Sequence, residues 1–125
     1  KLYKKLANEL KSKGNYSRAR QYYMESMKLN PSDGSPYLAI AAMFAKSANN
    51  CGDSNFNKRA VFWLAALEAE KAGRVDSRLK SAAAKSAASY RASAPSKSDI
   101  FTEGNAGQTI RIGCWIGRSV TVPNI

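Results

Sequence analysis

Apolar residues recur every three or four positions over most of the chain, with polar residues between them. This spacing places the apolar side chains on one face of a helix. Prolines, glycines and short polar runs divide the pattern into segments. It predicts helices over residues 2–12, 17–29, 35–47, 56–72 and 77–92.

Local signals set the predicted ends of these helices. Gly14 follows the first helix as a C-terminal cap would, and Gly73 is predicted to close the fourth. Ser35 and Pro36 are predicted to open the third helix, as an N-cap followed by a first-turn proline. The polar run 49–55, NNCGDSN, is predicted to be a loop.

Near the C-terminus the pattern changes. Ser96 and Asp99 have the spacing of a capping box, which predicts one short helix. Residues 109–123 then alternate between apolar and polar, and predict a β-hairpin with Gly117 and Arg118 in a tight turn. Four side chains are predicted to share one side of its first strand: Ile110, Ile112, Cys114 and Ile116. The sequence therefore predicts a mainly α fold with a small C-terminal β-hairpin.

Large and small residues on the first two predicted helices have a regular spacing: Tyr3, Leu6, Ala7, Leu10, Gly14, Tyr16, Ala19, Tyr23 and Pro31. This spacing resembles the tetratricopeptide repeat, a pair of helices of about 34 residues. A looser second copy uses Tyr37, Ile40, Ala41, Phe44, Ala60, Leu64 and Leu67. The resemblance implies antiparallel helix hairpins over residues 1–94, about two repeats and a capping helix whose outer side carries Lys80 and Lys85. It implies that residues 95–125 pack on these helices as an extension of a single domain.

A second resemblance is carried by four segments: NNCG at 49–52, FNKRAVFWLA at 56–65, APSKSDIF at 94–101 and GCWIGRSVTVP at 113–123. Together they resemble the C-terminal module of tetratricopeptide proteins from bacterial cell envelopes. That resemblance implies a non-catalytic scaffold in the periplasm or cell envelope, within a larger complex there. A cytoplasmic location is the alternative if the cysteines are free thiols.

Composition narrows the function classes. The chain carries 20 Lys plus Arg against 9 Asp plus Glu, a formal net charge of +11, and it has no histidine. The positive charge favours an acidic partner. The lack of histidine removes the usual near-neutral acid or base and the commonest metal ligand, so we predict no enzyme activity, no metal and no cofactor. Because no apolar run approaches the roughly 20 residues of a membrane span, the chain is predicted not to be membrane-spanning.

The two cysteines, Cys51 and Cys114, are far apart in the sequence. They have no C-x-x-C spacing and no histidine beside them, so a zinc site is not predicted. Two interpretations stay open. The cysteines are either separate buried thiols or a disulfide that fastens the hairpin to the helical loop.

In tetratricopeptide arrays the first helix of each repeat lines a concave surface, so the resemblance implies that a partner binds there. The candidate residues are Lys1, Lys4, Asn8 and Lys11 on the first helix, and Leu38, Ala42 and Lys46 on the third. Lys4 and Asn8 also match a subfamily that clamps peptide C-termini, although Ala39 stands where that subfamily has asparagine. The implied partner is another protein or peptide of acidic character.

Two alternatives to this interpretation remain at the level of sequence. In the first, Lys1, Lys4 and Lys11 are simply a solvated face. The basic surface as a whole could instead bind nucleic acid or another polyanion through the release of phosphate counterions. Because Lys and Arg are scattered over every predicted helix, the sequence favours the protein partner over the polyanion.

Overall fold

The computed structural model describes residues 2–125, and within that range it contains seven α-helices, a short 3-10 turn and one two-stranded sheet. The helices are α1 Leu2–Ser12, α2 Tyr16–Leu29, α3 Ser35–Lys46, α4 Ala48–Cys51, α5 Asn55–Val75, α6 Lys80–Ser93 and α7 Lys97–Glu103. The 3-10 turn is Ser77–Leu79, and the strands are β1 Thr109–Ile112 and β2 Arg118–Thr121. The predicted mainly α fold with a C-terminal hairpin is confirmed.

Two predicted helix boundaries in the middle of the chain are wrong. Gly73 does not close a helix, because α5 continues to Val75. A Cβ on Gly73 would lie 3.2 Å from the Ala83 Cβ, so this glycine serves the close packing of α5 on α6. The predicted loop 49–55 is helical in its first part, where α4 places Cys51 against α5.

The start of α3 is also displaced from its prediction. Ser35 is the first helical residue, and Gly34 takes the N-cap position without a side-chain cap. The Asp33 carboxylate supplies the missing acceptor, because Ser35 donates to it through its backbone N–H at 3.0 Å and through its hydroxyl at 2.8 Å. The capping carboxylate therefore belongs to the residue before the N-cap, two positions before the first helical residue, and an acidic group is favourable at a helix start.

Helices that are neighbours along the chain pack against each other: α1 on α2, α2 on α3, α3 on α5 and α5 on α6. The largest side chains of the interior, Tyr23, Ile40, Met43 and Phe44, come from α2 and α3 and are fully buried. On α6, small residues face inward, while its outer side, including Lys80 and Lys85 as predicted, is exposed. Burial of these apolar faces is the main force that holds the helices together.

The hairpin differs from its prediction at the turn. Strand β1 ends at Ile112, which pairs with Arg118 of β2, and residues 113–117 form the connection. Within it, Cys114 and Gly117 have φ angles of 51° and 54°, in the left-handed region that interrupts a strand. The predicted tight turn at Gly117 and Arg118 is therefore wrong, and so is the continuation of β1 to Ile116.

The hairpin and the helices share one hydrophobic core. Ile112, Ile116, Val120 and Val122 are buried, and they belong to the same cluster as Phe44 of α3. A two-stranded hairpin is marginally stable by itself in water. The strands therefore depend on the helices for a surface on which to bury their apolar side.

A buried carboxylate joins the two turns that precede α3 and α6. Asp76 accepts hydrogen bonds from the Arg78 guanidinium at 2.9 and 3.0 Å and from the Gly34 backbone N–H at 3.0 Å. These hydrogen bonds, that of Arg78 first, lower the pKa of Asp76 to about 2. A Cβ on Gly34 would lie 2.5 Å from the Ala72 carbonyl oxygen, so only glycine lets the two turns approach this closely.

The depressed pKa predicts how Asp76→Asn changes stability with pH. The folded-state pKa of about 2 lies below the ordinary value of 3.8, so Asp76 stabilises the fold above about pH 4 and loses this effect as the pH falls toward 2. We expect the variant to unfold more easily than the wild type at pH 7, with the difference shrinking between pH 4 and pH 2. Urea unfolding at these pH values measures it, and a constant difference across the range would contradict the role of Asp76.

Candidate functional site

Lys4, one of the predicted binding residues, contacts the turn before α3. Its ammonium donates to the Asp33 carboxylate at 2.9 Å and to the Ser35 hydroxyl at 3.1 Å, and its side chain keeps 38% of its exposure. Burial acts to raise the pKa of Asp33, but the hydrogen bonds from Lys4 and Ser35 outweigh it and lower that pKa. Lys4 therefore joins α1 to the start of α3 and is only partly free for a partner.

The other predicted residues of α1 differ in how far they are engaged. The Asn8 side-chain oxygen accepts a hydrogen bond from the Tyr23 hydroxyl of α2, so its amide nitrogen alone remains open. Burial raises the pKa of Tyr23, which keeps that hydroxyl a donor. Lys11 forms no ion pair within the part of the chain that the structure describes. Lys1 lies outside the described residues.

The predicted residues of α3 separate into packing and surface positions. Leu38 is half-buried against a cluster of alanines that includes Ala41 and Ala87. Ala42 is half-buried, and Lys46 is exposed at the end of the helix. Leu38 therefore serves the contact with α6, and Lys46 is the residue of this set that is most open to a partner.

Two observations, one at each end of the helices, indicate that α1 and α3 run in the same direction. Near its start, α1 is joined to the start of α3 by the hydrogen bonds from Lys4 to Asp33 and Ser35. At their other ends, Gly14, which follows α1, and Lys46 of α3 line one cavity. The structure thus places the two sets of predicted residues on helices that run in the same direction and that both pack on α2. We call these residues the α1–α3 surface: Lys4, Asn8, Lys11, Leu38, Ala42 and Lys46.

Trp115 fixes the hairpin loop on the helices, and the sequence analysis did not identify it. Its ring centroid lies 5.7 Å from that of Tyr16 on α2 and 5.3 Å from that of Phe44 on α3. Its indole N–H donates to the Ser47 hydroxyl at 2.9 Å. The indole therefore has both an apolar site and a partner for its polar edge, as buried tryptophans require.

Arg20 of α2 holds the backbone of the same loop. Its guanidinium donates to the carbonyl oxygens of Trp115 at 2.6 Å and Ile116 at 3.0 Å, and lies 5.0 Å from the Trp115 ring centroid. The two carbonyls would otherwise lack a partner beside a buried side chain. Arg20 thus combines hydrogen bonds to the loop with a cation–π contact.

Glu68 of α5 fixes the start of β2. Its carboxylate, only 3% exposed, accepts hydrogen bonds from Arg118 at 2.8 Å and from Lys71 at 3.2 Å. Arg118 also lies 5.2 Å from the Phe44 ring centroid. A buried carboxylate is costly unless it is paired, so Glu68 and Arg118 depend on each other.

The two cysteines form a disulfide in the structure. Cys51 of α4 and Cys114 of the hairpin loop are 63 residues apart in sequence, and their Cα atoms are 5.4 Å apart. This distance is ordinary for a disulfide. Of the two interpretations left open by the sequence, the structure has the bridge, which fastens the hairpin loop to α4.

A cavity of about 450 Å³ opens to solvent beside this bridge. It lies where the turn between α1 and α2, the end of α3 and the hairpin loop meet. We call it the disulfide cavity, and its lining residues are Gly14, Asn15, Tyr16, Ser17, Lys46, Ser47, Asn50, Cys51, Cys114 and Trp115. Among residues 2–125, Lys46 is the one charged residue in the lining, so the predicted binding residue and the unpredicted Trp115 meet here.

Three further observations bear on the class of function. Residues 2–125 contain no group of three or more His, Cys, Asp and Glu arranged to hold a metal ion. In the same range, none of the helices has the length and apolar character needed to cross a membrane. Comparisons of the chain with protein-family models, with curated proteins and with solved structures give no match.

Removal of the disulfide should lower stability. In the chain-entropy model, a bridge between residues 63 apart constrains the unfolded chain by about 4 kcal/mol. We therefore expect Cys51→Ser/Cys114→Ser to reduce the free energy of unfolding by about that amount in urea titrations.

The wild type in reducing agent is the control and should unfold at the same urea concentration as the double variant. Two titratable thiols in protein purified without reductant would show that the bridge does not form.

Proposed function

We propose that the protein is a non-catalytic binding module of the tetratricopeptide type, which holds another protein or peptide on the α1–α3 surface. The observation that carries the proposal is the parallel course of α1 and α3, joined at one end through Lys4 and at the other around the disulfide cavity. Helix hairpins stacked in sequence order present such a surface to a partner.

The charges of this surface favour an acidic partner. Lys11 and Lys46 form no ion pair within residues 2–125, whereas Lys4 is shared with Asp33. Hydrogen bonds between ammonium and carboxylate groups are stronger than neutral ones and fix orientation. A segment with carboxylate side chains would therefore find its donors in Lys11 and Lys46, with the free amide nitrogen of Asn8 between α1 and α2 as a neutral donor.

The position of the hairpin supports a structural role for the C-terminal extension. Its side-chain contacts described above go to α2, α3 and α5, through Arg20, Phe44 and Glu68, and its disulfide goes to α4. Its loop thus covers the apolar side of these helices and leaves most of α1 uncovered. We propose that the extension stabilises the module, and that the partner binds on the α1 side.

We also propose a bacterial periplasm or cell envelope as the location, within a larger assembly there. The support is the Cys51–Cys114 bridge, because disulfides persist in oxidising compartments and are rare in the cytosol. The resemblance of residues 49–123 to envelope proteins points to the same place.

Charge reversal on α1 tests the proposed surface. Lys11→Glu should weaken capture of the partner from native extract about tenfold, since it replaces one favourable charge contact by a repulsive one. Lys97→Glu, an equal charge change at the exposed start of α7, is the matched control and should capture the partner as the wild type does.

The captured protein is identified by mass spectrometry and its affinity for both variants is then measured with purified material. Equal affinity of the Lys11→Glu and Lys97→Glu variants would contradict the α1–α3 surface. Equal weakening of both, together with steep salt-dependent binding to DNA or RNA, would favour the polyanion alternative.

A further inference from the structure

The disulfide cavity has the chemistry of a binding pocket for an anionic group. Four of its lining side chains offer hydrogen-bond donors: the Lys46 ammonium, the Asn15 and Asn50 amides and the Ser17 hydroxyl. Within residues 2–125, Lys46 forms no ion pair and Asn15 provides no cap to α2. No Asp or Glu lines the cavity. A carboxylate placed here would meet donors and no like charge.

The other wall of the cavity is apolar. It is formed by the half-buried rings of Tyr16 and Trp115, packed edge to face, and by the bridge of Cys51 and Cys114. Pockets that combine an apolar wall with a few polar groups bind by burying an apolar side chain and orienting a polar one. A volume of about 450 Å³ accommodates an aromatic or branched aliphatic side chain together with a neighbouring carboxylate.

The single cation of the cavity decides between two kinds of anionic ligand. A nucleic acid strand is bound through several phosphates, and its affinity comes mainly from the basic side chains that neutralise them. Of the basic side chains that the structure describes, Lys46 alone lines the disulfide cavity. One cation beside an apolar wall fits one carboxylate on a peptide better than it fits a chain of phosphates.

We infer that the disulfide cavity anchors the partner by one acidic residue and an adjacent aromatic or aliphatic residue of an extended segment. The inference rests on the proposed function. It places the pocket at one end of the α1–α3 surface. The cavity continues that surface directly, because the Gly14 backbone N–H donates to the Lys11 carbonyl oxygen at 3.0 Å. A peptide held by Lys11 therefore lies within one helical turn of Gly14, at the edge of the cavity that Lys46 also lines.

Because the Cys51–Cys114 disulfide forms part of the wall, ligand binding in this pocket should depend on its oxidation state. Cys114 lies beside Trp115 in the loop 113–117, and its bond to Cys51 closes one wall. The hydrogen bonds from Arg20 to the loop backbone do not involve the bridge, so we expect reduction to loosen the wall without releasing the hairpin. The pocket should therefore bind its ligand best in the oxidised protein.

The probe is the peptide acetyl-Ser-Gly-Asp-Phe-Gly-Ser-amide, and its control replaces Asp by Asn. The chain has two tryptophans, of which Trp115 lines the cavity and Trp63 does not, so their indole N–H signals in a ¹⁵N spectrum report on the pocket and on a position outside it at once. We expect the Asp peptide to move the Trp115 signal in a saturable way and to leave the Trp63 signal in place. The Asn peptide should bind about tenfold more weakly.

Variants of Lys46 decide whether the charge is responsible. Lys46→Glu should weaken binding of the Asp peptide about tenfold or more, whereas Lys46→Arg should bind it as the wild type does. An unchanged Trp63 signal shows that each variant is folded. An unmoved Trp115 signal, equal binding of the Asp and Asn peptides, or a short oligonucleotide that moves the signal in place of the peptide would overturn the inference.

Different variants test the pocket and the proposed function, so one hypothesis can be wrong while the other holds. If Lys11→Glu weakens capture of the natural partner and Lys46→Glu does not, the α1–α3 surface stands and the pocket is wrong. If binding of the Asp peptide depends on Lys46 but the Lys11→Glu variant captures the partner normally, the pocket is supported and the α1 side of the surface is wrong.

Discussion

The packing of Trp115 against α2 and α3 is the contact on which the rest of the structure depends. Two four-residue strands cannot bury enough apolar surface to be stable alone, so the hairpin needs the helices. The helices need the hairpin in turn, because Phe44 would lose part of its apolar cover without the Trp115 ring. Arg20 makes the arrangement specific, since its guanidinium reaches two consecutive loop carbonyls and the indole face together.

In the part of the chain that the structure describes, most acidic side chains are engaged in ion pairs, whereas most of the more numerous basic side chains are not. Within residues 2–125, six of the nine acidic side chains form ion pairs: Glu25, Asp33, Glu68, Glu70, Asp76 and Asp99. Some of these carboxylates hold parts of the fold together. Glu68 binds Arg118 at the start of β2, and Asp76 joins the turns before α3 and α6. With most acids engaged, the charge that remains for a partner is basic, which is the physical basis of the proposed acidic ligand.

Features encoded by neighbouring residues could be predicted from the sequence. The bounds of α1, the left-handed Gly14 after it and the capping box of Ser96 and Asp99 follow from chemistry within one turn of chain, and all three were predicted. Gly73 was misread because its role, close contact with Ala83, lies in a different helix. The five-residue hairpin loop was missed because Cys114 is held in the left-handed region by contacts with distant residues.

The candidate site was predictable in part for the same reason. Helical spacing was enough to choose Lys4, Lys11 and Lys46, since they fall at regular intervals on their helices. It could not show that Lys4 is shared with Asp33, or that Arg20 meets a loop that lies 95 residues away. A lone acid on the apolar side of α5, Glu68, was the one local signal that a distant base had to approach it.

Native-state hydrogen exchange of the oxidised protein tests most directly whether hairpin and helices form one cooperative unit. The hairpin amide of Val122, which donates to Gln108, should exchange with the same free energy as the amides of α5 around Leu64, and both should respond equally to denaturant. If the hairpin amides exchange at a much lower free energy while the α5 amides stay protected, the fold does not depend on the packing of Trp115, and the account is contradicted.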